Sequence, residues 1–183
     1  PFAVARCLPV DQAIFLDVGA DRTDVALVRD GGLSAIASLP YGGRQVSRQI
    51  AHRLGVSWAK AEALKIRWAQ QERETPPRQA SSVGRRAWGG VPPSPPPDPM
   101  KEALDDSLTA WLDGLEVLLA DMVAEQTLPP RILLCGGGSQ LPEIITTLSA
   151  PVWARRLPFS RLPEVSLLPP REVRGLTDRT PRL

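Results

Sequence analysis

The sequence predicts an α/β layered fold, and three observations carry that expectation. Two apolar, strand-like runs each end in a glycine turn: Ala13-Ile14-Phe15-Leu16 leads into Asp17-Val18-Gly19, and Arg131-Ile132-Leu133-Leu134 leads into Cys135-Gly136-Gly137-Gly138-Ser139. Further strand patterns follow the first run at once, with hairpin punctuation between them, and a long helical pattern separates this block from the second run. In an open α/β sheet such strand ends deliver side-chain-poor backbone to the edge where ligands bind.

In chain order, the first strand ends at Val18. A second covers residues 24–28 and reaches the turn signal Asp30-Gly31-Gly32, and a third covers residues 33–39, giving an antiparallel meander of three strands. Pro40-Tyr41-Gly42-Gly43 breaks the pattern. Val46, Ile50 and Leu54 then mark one face of a helix that closes at Gly55. Ser57 has the chemistry of an N-cap for a second helix carrying Ala61, Leu64, Lys65 and Trp68 on successive turns.

Residues 74–99 shift to Pro, Gly, Ser and Arg without apolar periodicity, as expected of a flexible insert between segments 1–73 and 100–183. The run from Val91 to Pro97 reads as a passive linker in preference to a polyproline ligand. A helix over residues 99–126 follows, with Leu104, Leu108, Leu112, Leu115, Leu119 and Val123 at spacings of three and four, expected to pack on the sheet. After the strand at 131–135, a helix is expected to open near Ser139 with Leu141, Ile144, Ile145 and Leu148 inward, and Val152-Trp153 reads as a short strand.

Composition removes several function classes. The chain has 183 residues, enough for one sizeable core, with 43% hydrophobic and 23% charged residues. A formal charge of +2 with interspersed signs, and only 5% aromatic residues, argues against a nucleic-acid surface. Cys7, Cys135 and the single histidine, His52, make no metal-ligand spacing and no Cys-His catalytic pair. No run approaches the roughly 20 apolar residues of a membrane span. With Pro1 first and no signal-peptide pattern, the chain reads as a fragment or truncated product.

Several segments, in order, resemble the actin-like ATPase superfamily and, within it, the second half of the bacterial cell division family FtsA. Leu16-Asp17-Val18-Gly19 with Thr23-Asp24-Val25-Ala26 resembles the superfamily's second phosphate motif, and Asp30-Gly31-Gly32-Leu33 the hairpin after it. Leu39-Pro40-Tyr41-Gly42-Gly43 and Ala61-Glu62-Ala63-Leu64-Lys65-Ile66-Arg67 resemble the next turn and the adenosine-side helix. The segment from Leu134 to Leu141 resembles the adenosine motif, and Gly175-Leu176-Thr177-Asp178 a short segment near the family's C-terminal end. The resemblance implies a ribonuclease-H-like fold with a mixed sheet, and ATP and Mg2+ as ligands. Asp17 would be the catalytic acid, holding or orienting a magnesium-bound water, and Gly19, Ala20, Asp21, Arg22 and Thr23 the phosphate cradle. Glu62 and Lys65 would meet the ribose and base, and Gly136, Gly137, Gly138 and Ser139 would form the adenosine turn, with the glycines flat against the nucleoside.

The resemblance also implies a cytoplasmic protein, peripheral to the inner face of the membrane, that self-assembles, engages a tubulin-like division protein and links the division ring to the membrane. Two departures stand beside it. Ala20, Asp21 and Arg22 replace the further glycines and threonine of the family, which puts a carboxylate where phosphate oxygens are expected; Arg22 is expected to offset it by pairing with Asp21 or with phosphate. The first phosphate turn, its partner strand and the family's protein-binding subdomain are expected upstream of residue 1, and nothing after Gly175 has the apolar face of the family's membrane-binding helix. Phosphoryl transfer needs positioning from both sides of a cleft, so hydrolysis by this half alone is not expected. The rival readings are a non-catalytic actin-like scaffold, a protein like the pilus-assembly family PilM and, more weakly, a sugar or acetate kinase of the same superfamily.

Overall fold

The computed structural model describes residues 10–74, 98–123 and 126–168. Cys7, the 175–178 segment and nearly all of the proline-rich stretch lie outside the described residues. Five strands form one sheet in the order β3-β2-β1-β4-β5. Strands β1 (Ala13–Val18), β2 (Thr23–Arg29) and β3 (Gly32–Leu39) make the antiparallel meander. Strand β4 (Arg131–Cys135) lies parallel to β1, and β5 (Glu164–Leu167) parallel to β4.

The sequence explains which strands lie inside. Strand β1 is central, covered on both faces, and therefore reads as a continuous apolar run. Strand β3 is an edge strand and alternates instead, with Ala35, Ala37 and Leu39 half-buried and Ser34, Ile36 and Ser38 exposed. Ile14, Leu16, Val18, Val25, Leu27, Ile132 and Leu134 form the face on which the helices pack, while Ala13, Phe15, Ala26, Val28 and Leu133 form a smaller cluster on the other face.

The helices are α1 (Gly43–Leu54), α2 (Trp58–Glu74), α3 (Pro99–Val123), α4 (Pro142–Leu148) and α5 (Pro151–Ala154). Val46 and Ile50 bury the inner face of α1, which ends at Gly55 in the left-handed conformation. Ser57 sits where an N-cap belongs, its Oγ accepting the Lys60 N–H at 3.4 Å. Leu104, Leu108, Leu115, Leu119 and Val123 form the buried stripe of α3. In the third turn of that stripe, Trp111 is buried and Leu112 only half-buried, which corrects the sequence reading. The indole carries more apolar area than leucine, and its Nε1 finds an acceptor 2.9 Å away in the Thr23 hydroxyl.

Two other expectations are corrected around the second glycine turn. Residues 138–140 form a single 3-10 turn and Leu141 is extended; the helix proper starts at Pro142, whose fixed φ and missing N–H suit a first helical position. Val152 and Trp153, expected as a strand, lie in α5, which Pro151 opens in the same way. The strand that completes the sheet is β5, twelve residues further on, and Trp153 packs its ring against Phe159 with centroids 5.8 Å apart.

Candidate functional site

Strands β1 and β4 are adjacent and parallel, so their two glycine turns emerge side by side. Glycine at 136 is required by both backbone and space: φ is +85°, and a Cβ there would lie 2.4 Å from Asp17 Oδ1 and 2.5 Å from the Val18 carbonyl. A third segment, the start of α1, closes on the first turn. The Gly43 and Arg44 N–H groups donate to the carbonyls of Gly19 at 2.9 Å and Ala20 at 2.8 Å. That approach needs glycine at 42, where a Cβ would meet the Gly19 carbonyl at 2.6 Å. The first donors of α1 are thus spent on holding the 19–22 turn in place.

These three segments and α2 enclose a cleft of about 470 Å³. One wall is a single face of α2, where Trp58, Glu62, Ile66, Ala69 and Arg73 follow one another at spacings of three and four. Trp58 and Ile66 are 47% and 49% exposed, so the cleft offers open apolar surface flanking one carboxylate. Opposite stand Gly137, Gly138 and Gln140, and the floor is Gly19, Ala20, Gly43 and Arg44. A smaller recess of about 330 Å³ adjoins it, lined by Asp17, Gly19, Ala20, Asp21, Arg22 and Asp24.

Lys65 and Glu62 both line the cleft, but their bonding differs. Lys65 Nζ donates to the Gly43 carbonyl at 2.8 Å, Ser47 Oγ at 2.9 Å and Glu62 Oε2 at 2.8 Å, which uses all three of its protons. Its role in this geometry is to fasten the start of α1 to α2. Glu62 bonds Lys65 and Ser47 through Oε2. Burial pushes the Glu62 carboxyl up, yet the hydrogen bonds from Lys65 and Ser47, with the charges of Lys65 and Arg44, outweigh it and hold the group below its ordinary value.

Three carboxylates line the small recess, and the structure shows how they coexist. Arg22 Nε pairs with Asp24 at 3.1 Å, and Arg44 Nη1 with both oxygens of Asp21 at 2.9 Å. Of the two pairings expected for Arg22, with Asp21 or with phosphate, the first is not made: residues two apart in an extended chain share a side, so Arg22 reaches Asp24, and Asp21 points the other way toward Arg44. Two arginines set against three aspartates leave one negative charge, and Asp17 is the carboxylate without an arginine partner among these pairs. Asp17 sits in a row of cross-strand neighbours, Cys135, Asp17, Asp24 and Ser38. Burial, then the Asp17 charge and the hydrogen bond to Asp17, push the Cys135 thiol up to about 12, so Cys135 is a neutral donor to that carboxylate.

Some residues expected in the site face elsewhere. Thr23 is fully buried; its hydroxyl donates to the Tyr41 carbonyl at 2.8 Å and accepts from Trp111, so it braces the meander against α3 and does not face the cleft. Ser139 is buried and donates to the Gly136 carbonyl at 2.7 Å, stabilising the turn from inside. Gly136 and Gly138 are pressed against Asp17 and Val18, so the glycines do not all lie flat toward the cleft; Gly137 alone of the three has open space where a side chain would be. Conversely, sequence reasoning missed Gly43, Arg44, Trp58, Ile66, Arg73 and Gln140 as lining residues. The signal for Trp58 and Ile66 was present, since each lies four residues from Glu62. Arg44 had no such signal, because its place depends on α1 docking against the first turn.

Among the described residues, no group of three or more His, Cys, Asp or Glu side chains is placed to hold a metal ion, and no helix is long and apolar enough to cross a membrane. The meander joined to a parallel pair, with a two-turn cleft at the strand ends, has the architecture of the ribonuclease-H-like half of the actin-like fold. The family model for cell division protein FtsA matches residues 14–156, well over half of the chain, and the chain belongs to that family. It is 29% identical over 171 residues to cell division protein FtsA of Pseudomonas aeruginosa, a match that takes in 89% of the chain and 37% of that relative's length. Among solved structures it is similar to the PilM–PilN type IV pilus biogenesis complex, with TM-score 0.57 and 19% identity over 93% of the chain and 42% of the other. It is also similar to MreB5 of Spiroplasma citri bound to ADP, with TM-score 0.53 and 17% identity over 91% of the chain and 52% of the other. At these identities the solved structures show the fold, and the family match favours the division family over the pilus one.

Proposed function

We propose that this chain supplies one side of an adenine-nucleotide cleft in a cell division protein that assembles in a nucleotide-dependent way. The observation that carries the reading is the cleft itself: a roomy slot with an apolar wall and one carboxylate, ending at the glycine turn beside Asp17. Trp58 and Ile66 would flank the base and Glu62 would accept from the ribose hydroxyls, with Lys65 holding Glu62 in place. Gly137 leaves room for the nucleoside to lie against the second turn. Backbone N–H groups after Gly19 would face the phosphates, and the net negative charge left at Asp17 suits a hydrated Mg2+ ion bound with them. That ion would supply charge neutralisation of the phosphates, while Asp17 would hold its water shell in register.

At the level of the whole protein, the proposal extends to self-assembly, to engagement of a tubulin-like division protein and to a place at the inner face of the membrane. Family membership supports each of these. The cleft is tested by the thermal shift of the chain with saturating magnesium ATP, where a ligand at 100 times its Kd adds about 2.7 kcal/mol. A shift that disappears in both Asp17→Ala and Gly137→Val is expected. No shift at millimolar nucleotide, or a shift unchanged in both variants, overturns the cleft assignment and leaves the non-catalytic scaffold.

A further inference from the structure

The pairing of Arg44 with Asp21 is a different matter from the fastening of Lys65, because it is made at the opening of the cleft and in solvent. Arg44 is the second residue of α1 and lines the main cleft beside Gly19 and Ala20; Asp21 lines the adjoining recess on the same turn. The two side chains are 51% and 63% exposed, so no packing holds them together. The carboxylate engages the guanidinium through Nη1 alone, both oxygens at 2.9 Å from that nitrogen, and Nε and Nη2 take no part in the contact. A guanidinium binds phosphate with the same donors that it offers a carboxylate, and more strongly when two nitrogens can be used at once. The main chain of Arg44 is fixed independently, by its N–H bond to the Ala20 carbonyl, so the side chain can change partners without moving the helix.

From this we infer that Arg44 is a phosphate-binding residue of the cleft, and that Asp21 is a resident carboxylate that competes with the ligand's phosphate for it. The inference rests on the nucleotide reading of the cleft. It gives Asp21, otherwise an unfavourable residue in a phosphate turn, a definite effect: it tunes affinity for phosphorylated ligands and leaves nucleoside affinity alone. The turn thereby discriminates adenine nucleotides from adenosine, with Arg44 as the discriminating residue.

The test is calorimetric titration of the chain with ADP in magnesium and, separately, with adenosine, for the wild type, Asp21→Asn, Arg44→Gln and the double variant. Asp21→Asn is expected to tighten ADP by roughly two- to fivefold, the span that corresponds to losing an exposed ion pair. Arg44→Gln is expected to weaken ADP by about tenfold, in the range of a charge-assisted contact, and neither change is expected to alter adenosine binding. In the double variant the gain from Asp21→Asn should vanish. If Asp21→Asn still tightens ADP when Arg44 is gone, Asp21 acts by simple repulsion and competition for Arg44 is overturned. ADP affinity unchanged or weakened in Asp21→Asn, or unchanged in Arg44→Gln, overturns it as well. Failure of wild type and variants to bind either ligand removes the nucleotide reading, and this inference with it; adenosine binding alongside an indifferent Asp21→Asn removes the inference alone.

Discussion

The two glycine turns look alike in sequence and are built on different physics. The turn at 136–138 is set by steric necessity: Gly136 has a positive φ, Gly136 and Gly138 are in contact with strand β1, and Ser139 closes the turn from the buried side. The turn at 19–22 is set by hydrogen bonds and charge: α1 donates to its carbonyls, and Asp21 and Arg22 are each held in ion pairs. The first kind fixes where two strands end relative to one another. The second kind fixes a surface that stays open to solvent and can exchange partners. A glycine run therefore marks close approach of chains as readily as it marks a ligand, and only the neighbours tell the two apart.

The contrast is broken most sharply at Gly136. Gly136→Ala combines an unfavourable φ with a clash against Asp17 and Val18 and should cost about 3 kcal/mol or more in urea unfolding. At its neighbour Gly137 an added Cβ would have nothing within 4 Å to strike, so Gly137→Val should stay within about 0.5 kcal/mol of wild type while impairing ligand binding. Equal losses at the two positions would remove the distinction between close approach and open cleft.

Next in size is Gly42→Ala, which pushes a Cβ against the Gly19 and Ala20 backbone. A loss of about 1–3 kcal/mol is expected, as for overpacking elsewhere. Amide exchange should quicken at Gly43 and Arg44, the two donors that hold the first turn. Unchanged exchange there would show that the turn is held by other means.

A smaller effect is expected with pH. The Glu62 carboxyl titrates below its ordinary value of 4.5 in the folded chain, so the stability its ionised form contributes is complete above that pH and is lost as pH falls through the lower folded value. Urea midpoints measured between pH 6 and pH 3 should therefore fall more in wild type than in Glu62→Gln. Parallel curves would mean that Lys65 fastens α1 to α2 without help from Glu62. The smallest effect concerns Cys135. With its thiol pushed up from 9.0 to about 12, alkylation at pH 8 should be far slower than for an unfolded peptide of the same sequence, and Asp17→Asn should speed it. Equal rates with and without Asp17 would sever the link between that carboxylate and the second turn.

Much of the layout was legible in the chain. Val46 and Ile50, and Leu104 through Val123, marked the inward faces of α1 and α3 because burial in a helix repeats at 3.6 residues and needs no knowledge of the partner. The meander was legible because Asp30-Gly31 punctuates alternating and continuous apolar runs, and of the motif residues Gly19, Glu62 and Gly137 line the main cleft while Asp17 lines the recess beside it. Other features were not legible. Pro151 turned a β-branched and aromatic pair into helix α5, and Trp111 is fully buried where Leu112 is only half-buried, its indole meeting an acceptor on Thr23, 88 residues away in sequence.

What the sequence determined by itself was thus the local and periodic part: strand, turn and helix, the buried stripe of each element, and the family to which their order belongs. What only the tertiary structure decided was partnership. Whether Thr23 faces a ligand or a tryptophan, whether Asp21 is answered by Arg22 or Arg44, and which glycine of three stands open to the cleft all depend on where α1, α3 and β4 come to rest. The reason is physical. Periodicity and capping act over one or two turns of chain, whereas ion pairs and close backbone approaches are fixed by atoms that meet only after the sheet and helices have packed.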